Sequence, residues 1–170
     1  MAGITDSPRG FIPSKTFHGG MVASNPYPLA AANTALGKWD YVTLTAAGFI
    51  DRSAASDTQI VGSSAIHAAA SAGTARFPVY DDPNIIYLCQ SDAAAIVAAT
   101  RFANFNIVVA AAVNNISAME LDDDTDATTA TLPVKMLRLH AQTGNTIGAN
   151  AAYEVVLNNH VLNSLGVTGV

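Results

Sequence analysis

The side chains best suited to chemistry in this sequence are a run of acids, a set of histidines, a thiol and a few serines. Asp122, Asp124 and Asp126 stand at the first, third and fifth places of an EF-hand calcium loop. The sixth place is then Ala127, where the loop needs glycine, and the twelfth is Pro133, where it needs a bidentate glutamate. The expected reading is a solvated acidic loop. His18, His67, His140 and His160 are spread over the whole chain, and no pair has the spacing of a metal site. Cys89 sits in an apolar run, which predicts a buried, inert thiol, and a single cysteine excludes an internal disulfide. Ser63, Ser64 and Ser91 lack a nucleophile elbow, and neither a P-loop nor a G-x-G-x-x-G occurs. No residue is assigned to catalysis, to a cofactor or to a metal, and the expectation is a protein that is not an enzyme.

Composition bounds the partners. The chain has 170 residues, enough for one domain with a real core. Its charged fraction is 12%, against roughly 25% in ordinary soluble proteins. Either Thr, Ser, Asn and Gln solvate the surface, or much of that surface is covered by copies of the chain or by a partner. The net charge is −5, and Arg9, Lys15, Lys38, Arg52, Arg76, Arg101, Lys135 and Arg138 are dispersed singly. That argues against a nucleic-acid groove. No stretch has the length of an apolar membrane span. The start, Met-Ala-Gly-Ile-Thr-Asp, lacks a basic n-region and an apolar h-region, so synthesis in the cytoplasm is expected.

The elements that would position these residues are mainly strands. Pro83 fixes its own φ and turns the chain, and Ile85 to Leu88 then reads as a strand buried on both faces. Residues 1–14, with Pro8, Gly10 and Pro13, read as an extended arm, and residues 15–170 as one body. Lys15 to Val22 is expected as a short interrupted strand, and Asn25-Pro-Tyr-Pro28 as a turn that no ladder tolerates. From Trp39 to Thr45 the pattern alternates, with Trp39, Tyr41 and Thr43 on one side and Val42 and Leu44 on the other. Residues 58–80 read as a hairpin. Ser91-Asp92 would cap a helix over Ala93–Phe102. Strands follow over Ile107–Ala112, Ala118–Leu121, Val134–Gln142 and Ala152–Leu157, with Leu137 and Leu139 sharing one face of the third. Asp122 to Thr131 is expected as a loop. The sum is an all-β fold, a barrel or sandwich with one short helix and an N-terminal arm. Phe11, Ile12, Val161, Leu162, Leu165 and Val167 lie in apolar terminal segments and are the candidates for contact with other chains.

Three segments carry a resemblance. They are Val79-Tyr-Asp-Asp-Pro-Asn-Ile-Ile-Tyr-Leu-Cys-Gln-Ser-Asp-Ala93; Ser117-Ala-Met-Glu-Leu-Asp122 with Thr128-Thr-Ala-Thr-Leu-Pro-Val-Lys-Met-Leu137; and Gly148-Ala-Asn-Ala-Ala-Tyr-Glu-Val-Val-Leu-Asn-Asn-His160. In this order they resemble the head decoration, or cement, proteins of tailed phages, over roughly residues 77 to 162. The resemblance implies a β-rich body, usually a homotrimer, on the outer surface of the virion capsid. It would bind the major capsid protein, bridge neighbouring coat subunits and stabilise the shell. A different class of function, a virion-surface receptor- or glycan-binding β-module, would use Trp39, Tyr41 and Tyr27 as an aromatic platform.

Overall fold

Asp82 begins the central strand as the sequence predicts: its Oδ1 accepts from the Asn84 backbone N–H at 2.8 Å and from Asn84 Nδ2 at 3.0 Å. This Asx turn launches Ile85–Gln90 into the middle of a sheet. The computed structural model describes residues 5–55, 57–93, 96 and 100–162. Among them run eleven strands: β1 (Ile12–Thr16), β2 (Asn25–Leu29), β3 (Tyr41–Leu44), β4 (Ile50–Arg52), β5 (Ile60–Ser64), β6 (Thr74–Tyr80), β7 (Ile85–Gln90), β8 (Asn104–Val108), β9 (Glu120–Ala127), β10 (Val134–Leu139) and β11 (Ala152–Leu157). The fold is mainly β, as expected. The predicted helix over 93–102 rests largely on residues outside the described ones; Thr100 to Phe102 form a short turn.

The strands make a six-stranded sheet, ordered β1-β7-β11-β10-β8-β9, and a closed five-stranded barrel, β2-β4-β3-β5-β6. The sheet curls, because a bridge from Ser91 to Leu121 brings the start of β9 to the end of β7. The curl encloses one apolar core, including Ile85, Tyr87, Cys89, Phe105, Leu121, Met136, Tyr153 and Val155. A second core fills the barrel with Leu29, Leu36, Val42, Ile50, Val61, Phe77 and Val79. Strands β3 and β5 are a party wall. Tyr41 and Ile60 face the first core, and their neighbours Val42 and Val61 face the second, as strand alternation dictates.

Several expectations are corrected. The boundary at residue 14 falls inside β1, which pairs with β7 through Ile12↔Leu88 and Thr16↔Ile85. Phe11 is wholly buried, its ring stacked on Tyr41 at 3.8 Å and 11°. Gly10 permits that entry, with φ +70 and no room for a Cβ against Ser117 and the Trp39 carbonyl. Asn25-Pro-Tyr-Pro28 is a strand after all. Pro26 and Pro28 stand two apart, on the side that also turns the Ala30 N–H toward Ile50 O (3.1 Å) and away from β6. Only Leu29 pairs with β4, so neither proline removes a needed ladder donor. Trp39 lies outside β3, at φ 74, half-buried under the Lys38 ammonium at 4.5 Å.

The acidic stretch is also strand in place of loop, with an excursion. Asn106 pairs with Asp122 and Asn104 with Ala127, so residues 123–126 bulge out of the β8–β9 ladder. In β10 a bulge between Met136 and Arg138 breaks the alternation. Met136 and Leu139 face the core, while Leu137 does not share that face.

Candidate functional site on the outer face of the six-stranded sheet

Strand β11 sends Tyr153, Val155 and Leu157 into the core and Glu154 to the outer face. Glu154 is only 5% exposed there, so its charge needs partners. Lys15 Nζ of β1 reaches Oε1 at 2.9 Å. The Arg138 guanidinium of β10 grips Oε2 through Nε at 2.9 Å and a second nitrogen at 2.8 Å. His140 Nδ1 lies 3.5 Å from Oε1. Burial alone would raise the Glu154 pKa, but Lys15 and Arg138 outweigh it and hold the carboxyl below its usual range. A carboxylate so engaged is a clasp across four strands and a poor proton carrier.

Two depressions flank the clasp. One, of about 500 Å³, is lined by Lys15, Arg101 and Arg138 together with Phe17, Phe102 and Leu137. The other, of about 410 Å³, lies between the N-terminal segment and β7, lined by Arg9, Ile12, Leu88, Gln90 and His140. Gln90 ties that segment down, its Oε1 accepting from Ser7 N–H at 3.0 Å and its Nε2 donating to Thr5 O at 3.0 Å.

The acids gather elsewhere. Asp123 points inward, as Leu121 does, and is 7% exposed. Neither of its carboxyl oxygens accepts a hydrogen bond from a fixed donor. Burial raises its pKa to about 8, reinforced by the carboxyl of Asp92 facing it. The proton that Asp123 retains can be donated to the facing Asp92 carboxyl, which relieves the repulsion on Asp123. Burial, with Asp6 and Asp92, likewise lifts Glu120 to about 7. Among the described residues no group of three His, Cys, Asp or Glu side chains is disposed to hold a metal. Asp124 and Asp126 are exposed.

The D-D-P-N and N-N-H segments are joints. Asp81 accepts from Asn25 Nδ2 at 2.8 Å and from the Tyr27 hydroxyl at 2.6 Å, binding β2 to the end of β6. Asn158 Nδ2 donates to Leu132 O at 3.0 Å and Asn159 Nδ2 to Thr131 O at 2.6 Å, clamping the β9–β10 connection. The Ile60 N–H donates to Asn159 O at 3.0 Å, and Val161 N–H to Ile60 O at 3.1 Å, which fastens β11 to the barrel. Burial lowers the pKa of His160, despite the opposing carbonyl and charge of Asp81.

The contact candidates separate. Phe11 is enclosed in the protein's own core and presents no surface, which corrects its assignment. Ile12 is half-buried and lines the smaller depression. Val161 is half-buried against the barrel core, and Leu162 is 67% exposed. Leu165 and Val167 lie outside the described residues. Of the aromatic platform, Tyr41 is fully buried and the Tyr27 hydroxyl is held by Asp81. Exposed apolar side chains not expected from the sequence include Phe17, Met21, Phe102 and Val113. Phe17 lies in the turn that follows β1, closed by the Gly19 N–H donating to Thr16 O at 3.2 Å, and Gly19-Gly20 was the signal for it. Comparison with known proteins finds no matching family model, curated protein or solved structure.

Proposed function

We propose that this chain is a structural decoration protein of a tailed-phage head, seated on the outside of the capsid, where it bridges neighbouring major capsid proteins. The observation that carries the reading is where the resembling segments fall. They supply β7 and β11, most of β10 and the start of β9, all in one sheet, together with the Asx turn before β7 and the N-N-H clamp after β11. The familiar residues thus coincide with the joints of a scaffold. The ionic cluster around Glu154 is also a clasp, and Cys89 is buried. In this reading the protein is not an enzyme, and copies associate as a homotrimer on the lattice. A partner that binds only the assembled lattice stabilises it by mass action. Contacts of ordinary size, about 1,600 Å² in total, suffice when repeated around a shell.

The test is direct. Purified protein is mixed with expanded capsids stripped of decoration, the capsids are pelleted, and bound copies are counted against coat protein. The expected result is saturable binding at a fixed ratio and a higher capsid melting temperature. Absence of co-sedimentation with expanded capsids overturns the proposal.

A further inference from the structure

The larger depression on the outer sheet face collects Lys15, Arg101 and Arg138, three of the chain's eight Lys and Arg residues. Among the described residues no carboxylate lines it, and the nearby Glu154 is already engaged by Lys15 and Arg138. The depression therefore holds surplus positive charge on a chain whose net charge is −5. Phe17 and Phe102 line it, 54% and 45% exposed, giving it apolar surface to desolvate a charged contact. The opposite sign is displayed on another edge of the same sheet. The excursion in β9 carries Asp124 and Asp126, both facing solvent. Lys15 and Arg138 both pair with Glu154, and among the described residues no ion pair links this bulge to the cations of the depression.

A chain that displays complementary charges on two different surfaces meets another copy head to tail, and such a contact closes into a ring when its rotation allows. We propose that the Asp124–Asp126 bulge of one copy docks into the depression between Phe17 and Phe102 of the next. The proposal rests on the self-association included in the decoration reading and assigns its surfaces.

Sedimentation velocity on the full chain reads the contact. The wild type is expected to sediment as an oligomer in about 50 mM salt and to shift toward monomer in about 500 mM, where charges are screened within a few ångströms. Arg101→Glu, and separately Asp124→Lys with Asp126→Lys, are expected to weaken association at least ten-fold while leaving far-UV circular dichroism unchanged. A geometric test is independent of charge. Phe17→Cys combined with Asp126→Cys is expected to form covalently linked multimers on mild oxidation, and neither single variant is. A wild type that is monomeric in low salt, charge variants that associate like the wild type, or a double-cysteine variant that stays unlinked each overturn the contact. Capsid pelleting is scored separately. A monomeric wild type that still decorates capsids overturns this contact alone, and a salt-sensitive oligomer that ignores capsids overturns decoration alone.

Discussion

Glu154 is held by side chains from β1 and β10, so its replacement tests whether the outer face is a clasp. Glu154→Gln keeps the shape and removes the charge, leaving Lys15 and Arg138 without their anion. Both cations are half-exposed, and water recovers part of the loss. A destabilisation of about 1–3 kcal/mol is expected, read from the urea midpoint. Asp123 gives the pH dependence. Its proton is retained to about 8 in the folded chain, against about 3.9 in an unfolded one. The folded state therefore binds more protons, and the stability this confers is complete below the unfolded value and lost as pH rises through about 8. Glu120, lifted to about 7, has the same sign. Glu154 and His160 have lowered values, so their contributions are lost on the acid side instead. Asp123→Asn can donate to Asp92 at any pH, so it isolates the effect. Its melting temperature is expected to match the wild type near pH 3 and to exceed it by a margin that grows up to about pH 9; equal falls in both proteins count against the shared proton.

The party wall of β3 and β5 makes the two cores interdependent. Phe11 plugs the first core from the N-terminal side, stacked on Tyr41, which meets Tyr87 edge-on at 5.4 Å. Phe11→Ala is expected to cost about 3–5 kcal/mol, with loss of barrel and sheet in one transition. Gly10→Ala should cost about 1–3 kcal/mol from backbone strain, and more from its overlap with Ser117. Thermal scans by near-UV circular dichroism measure both. Strands with uniform local pattern were legible from sequence: β6, β7 and β11 fall where alternation and turn residues put them. The failures share one cause, because pairing partners are not written locally. Pro26 and Pro28 look like ladder breakers until β6 is known to occupy only the other side. Asp122–Ala127 looks like a loop because a strand that bulges at its acids has no period to read. The bulge in β10 hid Met136 from the core by the same rule.

At the scale of the molecule, the N-terminal segment divides at Gly10. Deleting residues 1–8 is expected to leave a folded body with a nearly unchanged melting temperature, whereas deleting 1–14 removes Phe11 and half of β1 and is expected to abolish cooperative unfolding. Calorimetry on the two truncations distinguishes these outcomes. Of the candidate contact surface, the sequence showed the exposed Leu162 but missed the depression, because Lys15, Phe17, Arg101, Phe102 and Arg138 come together only through the sheet. The mainly β fold was legible from turn spacing, and the second core was not, since nothing local reveals that Tyr41 and Val42 serve different interiors. Cys89 has a practical consequence of its own. It is the chain's single thiol, it lies in β7 with its side chain in the first core, and burial holds its pKa far above the usual range. It is 4% exposed, so a thiol reagent reaches it chiefly when β7 parts from β1 or β11. The rate of its labelling is thus a built-in clock for how often this sheet breathes open, and it needs no engineered cysteine.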